Sequence, residues 1–108
     1  MLGAVATTTA FAGAGHCVNG SKRSLNSNTP AKMNFRVVGE NDETQVKIYW
    51  LDQNGSPVLY KHAFAGETFR VNTYMTHPWL ITWPEPGGGE ACGNIYMPRN
   101  GTRTISLG

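Results

Sequence analysis

Three histidines, two cysteines and seven carboxylates make up the reactive inventory of this 108-residue chain. His62 and His77 could join Asp52 in an acid–base or metal site, but nothing in their spacing links them. No pair of carboxylates sits in an apolar setting, no glycine-rich loop could cradle a phosphate, and no nucleophile motif is present. His16 stands beside Cys17 without a second cluster at ligand spacing, so no metal centre is expected. The reactive residues therefore argue for a binding protein without catalytic residues or cofactors, and against an enzyme.

More informative is the stretch Asn72 to Trp79, NTYMTHPW. Thr73, His77 and Trp79 share parity, so a roughly extended backbone aims all three at one side. Pro78 pushes His77 toward an extended conformation and removes one backbone donor. Trp50, before the Asp52-Gln53-Asn54-Gly55 turn, and Tyr60, after it, can sit opposite each other across that hairpin. Two readings stand at this point. These aromatics fill a core, with Thr73 and His77 bonded to backbone, or they wall a pocket whose polar groups face a ligand.

The elements that must position them are short and strand-like. Met33–Val38 alternates Met33, Phe35 and Val37 against Asn34 and Arg36. Gln45–Leu51 places Val46, Ile48 and Trp50 on one face. Asn54-Gly55 is a hairpin signal, because Asn-Gly tolerates positive φ. Val58–Phe64, Glu67–Asn72, His77–Trp83, Asn94–Met97 and Thr102–Leu107 read as further strands, with PEPGGG (Pro84–Gly89) as a flexible loop. Strands at this spacing, with no helical period, predict a single all-β domain: a seven- to eight-stranded antiparallel β-sandwich. Asn-Gly-Ser/Thr triplets at Asn19, Asn54 and Asn100 are formal glycosylation acceptors but are read first as turns.

Hydrophobic residues make up 40% of the chain and charged residues 15%, a balance that fits a globular body. A net charge of +2, with no block of basic residues, gives no footing for nucleic-acid binding. No apolar run approaches the roughly 20 residues needed to span a bilayer. Residues 1–15 are small, apolar and uncharged, and Ala10-Phe11-Ala12 fits a small-x-small cleavage pattern. They read either as the remnant of a secretory signal or as a disordered leader, with the folded domain spanning 16–108. Export would place the protein outside the cell or in a periplasm, where Cys17 and Cys92 favour a disulfide over two reduced thiols.

Three segments carry a resemblance: RSLNSNTPAKMNF (Arg23–Phe35), IYWLDQNGSPVLY (Ile48–Tyr60) and AGETFRVNTYMTHPW (Ala65–Trp79). They are similar to the von Hippel–Lindau β domain family, in particular to stand-alone, exported members. Most specific are the R-S-x-N-S opening, the W-L-x-x-x-G hairpin and the Y-x-x-H-x-W block, in order along the chain. The resemblance implies a groove for a hydroxyproline-containing peptide. Trp50 and Trp79 would wall and floor the ring pocket, Tyr60 would hold the ligand backbone, and His77 would bond the prolyl hydroxyl. Thr73 stands where a serine shares that work, and Tyr74 matches the tyrosine beside it.

Departures from the pattern bear on this expectation. Thr73 adds a methyl group to a tight corner, Lys61 replaces a proline beside Tyr60, and Val37 replaces an asparagine. The helical domain that links the family's known member to ubiquitin-ligase partners has no counterpart in this sequence, so an adaptor role is not expected. The expectation is a secreted or periplasmic module binding hydroxyproline-containing or proline-rich segments. The alternative is a scaffold or adhesion sandwich with a vestigial pocket.

Overall fold

The computed structural model describes residues 14–39 and 43–108. Seven strands run in chain order: β1 (Pro30–Val37), β2 (Gln45–Leu51), β3 (Pro57–Phe64), β4 (Thr68–Tyr74), β5 (Trp79–Pro84), β6 (Glu90–Tyr96) and β7 (Gly101–Leu107). They form a three-stranded sheet, β4-β1-β7, facing a four-stranded sheet, β3-β2-β5-β6. The expected β-sandwich is present. One pairing departs from the antiparallel expectation, because β1 and β7 run parallel, with Met33 opposite Arg103 and Phe35 opposite Ile105. These are the first and last strands, so no hairpin fixes their relative direction.

Alternation decides what lies between the sheets. β1 sends Ala31, Met33, Phe35 and Val37 inward, all buried. Val46 and Ile48 of β2, Ala63 of β3, Trp79 and Ile81 of β5, and Ile105 and Leu107 of β7 complete that core. Val37, one of the positions that depart from the family pattern, is therefore a core residue. No helix of the described residues is long and apolar enough to cross a membrane.

β6 begins at Glu90, four residues before the expected start. Its first half, EACG, carries little strand signal, but Gly93 lets the chain pass close to β5. A Cβ there would lie 2.6 Å from the Ile81 carbonyl oxygen. The expected flexible loop before it is a closed turn, with Glu85 N–H bonded to Gly89 O at 2.8 Å.

A second cluster covers the opposite face of the four-stranded sheet. Ala14, Cys17 and Val18 pack on Tyr49, Leu51, Leu80 and Ile95. Ala14, within the expected leader, is buried in this cluster, while residues 1–13 of that leader lie outside the described residues. Cys17 is bonded to Cys92, with their Cα atoms 5.4 Å apart, so β6 tethers the N-terminal segment. Donor atoms of His16, Cys17 and Cys92 lie within 4.8 Å of one another, but the bridge takes up both sulfurs and leaves no thiolate to ligate a metal.

Beside this cluster lies a buried polar knot. The Glu90 carboxylate accepts from Thr82 Oγ1 at 2.6 Å and Tyr49 OH at 2.7 Å, with Lys47 Nζ at 3.4 Å. Burial alone would raise the Glu90 pKa, but these two hydrogen bonds and the lysine charge outweigh it and hold it below the usual value. Burial, then the bond to Glu90 and its charge, push the Tyr49 hydroxyl well above its usual value.

Two stability predictions follow from this face. Replacing both cysteines by serine is expected to lower unfolding free energy by about 4 kcal/mol, measured by urea titration. The folded-state pKa of Glu90 lies below the unfolded one, so its contribution is present above the usual carboxylate pKa of about 4.3 and is lost as pH falls through the folded value. Stability measured against pH should therefore drop on the acid side, and Glu90→Gln should flatten that limb.

Candidate functional site

The candidate residues gather where the edge strands β3 and β4 of the two sheets come together. β4 turns Thr73 inward near its end, and β5 opens on Trp79; the two are 4% and 2% exposed. Trp79 Nε1–H donates to Thr73 Oγ1 at 3.1 Å. Phe35 packs on the same indole, with ring centroids 6.2 Å apart. Trp79 is thus a core residue with one polar tip, and Thr73 satisfies that tip.

Between them the chain is not extended. His77 N–H bonds to Tyr74 O at 3.2 Å, closing a turn in which Thr76 takes a φ of 78°. Thr73 and Trp79 meet through their hydrogen bond while His77 lies against Trp50 and Tyr74, and the turn, not strand parity, sets these positions. Positive φ at a β-branched residue costs about 1–3 kcal/mol and persists only where its surroundings impose it. Here Thr76 Oγ1 donates to Leu25 O at 3.1 Å, and Met75 N–H bonds to Thr29 O at 2.9 Å.

His77 joins three parts of the molecule. Its Nδ1 accepts from Trp50 Nε1–H on β2 at 3.2 Å. Its Nε2 lies 3.2 Å from Leu25 O in the segment before β1. A carbonyl only accepts, so Nε2 carries the proton, and both ring nitrogens are engaged within the protein. Ser24 anchors the Leu25 segment: its N–H bonds to Asp52 O at 3.0 Å and its hydroxyl to Leu51 O at 2.5 Å.

Tyr60 reaches this cluster through an irregularity in β3. Leu59 pairs with Tyr49 but Lys61 pairs with Ile48, so Tyr60 is the extra residue of a β-bulge. Trp50 faces Val58 and not Tyr60 as expected from the hairpin. The bulge re-aims the Tyr60 ring, which packs edge-on against Trp79 at 5.1 Å and against Trp50 at 6.4 Å. Lys61 pairs with Glu67 at 3.5 Å, away from chemistry of its own.

The outcome is a row of touching rings, Tyr60, Trp50, His77 and Tyr74, with centroid spacings of 6.4, 5.7 and 5.6 Å. Tyr60 and Tyr74, at its ends, are about half exposed. All six expected site residues thus meet, four in the surface row and two beneath it. Two contributors escaped the sequence: the Leu25 carbonyl, which has no side-chain signature, and Thr76, whose conformation contradicts its residue type. Among the described residues no buried side-chain polar atom lacks a partner.

Thr73→Val should therefore destabilise the fold by about 1–3 kcal/mol, because the Trp79 N–H is left buried and unpaired. Thr73→Ser keeps the acceptor and should cost less than half as much in the same denaturation assay.

A family model described as the VHL beta domain matches residues 22–86, a span that holds β1 to β5 and all six residues of the cluster. Comparison with curated proteins gives no match.

Proposed function

The chain belongs to the VHL beta domain family, and from that membership and the ring row we propose that it binds peptide segments carrying proline or hydroxyproline. The observation that carries this reading is the continuous surface of Tyr60, Trp50, His77 and Tyr74. A pyrrolidine ring is apolar on its faces, and flat aromatic surfaces desolvate it favourably. Proline-rich segments are preset in an extended left-handed helix, so they lose little entropy on docking to such a row. β3 lies at a sheet edge beside the row, which gives an extended ligand backbone a strand to run along.

The Cys17–Cys92 bridge is compatible with an oxidising compartment, and we read the module as extracellular or periplasmic. A second reading has its own support: Trp79 is only 2% exposed and Tyr60 packs on it, which favours a scaffold whose former pocket is closed. Isothermal titration with peptides matched except for proline, hydroxyproline or alanine at one position separates the two. Binding that needs the ring is the expected result, and no binding of any peptide would leave the scaffold. Tyr60→Ala should weaken binding about tenfold or more, as truncating a central aromatic anchor does, while unfolding free energy changes by less than about 1 kcal/mol.

A further inference from the structure

The outer face of the three-stranded sheet is exposed and wholly different in character. Alternation turns Ala31, Met33, Phe35 and Val37 of β1 inward, so Lys32, Asn34 and Arg36 point out. In the antiparallel register Lys32 lies opposite Asn72, Asn34 opposite Arg70 and Arg36 opposite Thr68. On the other side β7 adds hydroxyls, with Asn34 Nδ2 at 3.5 Å from Thr104 Oγ1. Lys32 and Arg70 border a depression of about 200 Å³. No aspartate or glutamate occurs in β1, β4 or β7. Among the described residues neither ion pair uses these cations: Lys47 holds Glu90, and Lys61 holds Glu67, the carboxylate that precedes β4. Lys32 and Arg36, four residues apart on one strand, are separated by about 13 Å. Arg70 stands diagonal to both, about 7–8 Å from each. A chain of net charge +2 thus gathers three exposed cations into one staggered row. Such a row draws a polyanion.

We propose that this face docks a sulfated polysaccharide through Lys32, Arg36 and Arg70. Its outward side chains are charged, amide or hydroxyl groups, and only at one end does Tyr74, opposite Pro30, bring a ring. Single-stranded nucleic acid asks for a series of aromatic platforms, and an anionic bilayer rewards inserted apolar residues. An acidic peptide would have to order a flexible backbone here without a pocket for an anchor residue. A sulfated polysaccharide carries its anions on stiff rings and needs no apolar anchor. Its sulfates meet the three cations, and its hydroxyls meet the amides of Asn34 and Asn72. The proposal is independent of the ring row and stands whether or not that row binds peptide.

The test is calorimetric titration of the whole chain at low salt with a sulfated heparin decasaccharide and with its desulfated form. The sulfated sugar should bind about tenfold or more tightly, and added sodium chloride should weaken it. Lys32→Thr with Arg70→Thr should reduce its affinity about tenfold, as loss of two exposed ion pairs at the upper end of their range does. Lys22→Thr with Arg23→Thr removes the same charge beside the β2–β3 turn and should cost about twofold at most. All four residues are exposed, and both variants should keep the circular dichroism of the parent. No binding of the sulfated sugar, equal binding of its desulfated form, or equal losses in the two variants would overturn the proposal. Tighter binding of polyglutamate or of an oligothymidylate of matched charge would also overturn it, and would assign the face to acidic peptide or to nucleic acid.

Discussion

The imidazole of His77 is the constraint around which the candidate surface is organised. It ties the indole of Trp50 on β2 to the Leu25 carbonyl of the segment before β1, and it sits in the turn between β4 and β5. Each bond alone is modest, about 0.5–1.5 kcal/mol net, but together they fix the ring plane of His77 between Trp50 and Tyr74. The strained conformation of Thr76 is sustained by the same carbonyl. An aromatic surface built this way is rigid before any ligand arrives, which reduces what association must spend on ordering side chains.

Beneath the row the logic is that of a core. Trp79 is held by Thr73 on its polar tip and by Phe35 on its ring, so the floor of the surface is continuous with the packing between the sheets. On the far side of the four-stranded sheet, the segment around Cys17 and the Glu90 knot cover residues that an open sheet would expose. The two faces meet on β2, where Ile48 and Trp50 point one way and Tyr49 and Leu51 the other. Both sides of one sheet are thus covered, and a disulfide closes the cover.

Much of this was legible in the residues. Alternation in Met33–Val37 and Val46–Trp50 gave the inward faces correctly, and the Asn54-Gly55 turn gave the β2–β3 hairpin, where Asp52 Oδ1 accepts from the N–H groups of Asn54 and Ser56. The cysteine pair is bridged, as its even count taken with an export signal suggested. What escaped was of another kind. The direction of β7 depends on contacts between the chain's two ends, which local pattern does not encode. The bulge at Tyr60 and the positive φ of Thr76 are tertiary impositions against local preference, and both fall on the ring row. The strand parity expected to align Thr73, His77 and Trp79 does not operate there, and the turn sets their positions instead.

The Tyr60–Trp50–His77–Tyr74 row is the proposed ligand surface. Nitrogen–proton correlation spectra recorded while a proline decamer is added test it most directly, because each indole N–H gives its own signal. The Trp50 indole signal and the amides of Tyr60, Tyr74 and His77 are expected to shift together and saturably, while those of Cys17 and Cys92 on the opposite face stay in place. Shifts confined to other surfaces, with the Trp50 indole unmoved at saturation, would contradict it.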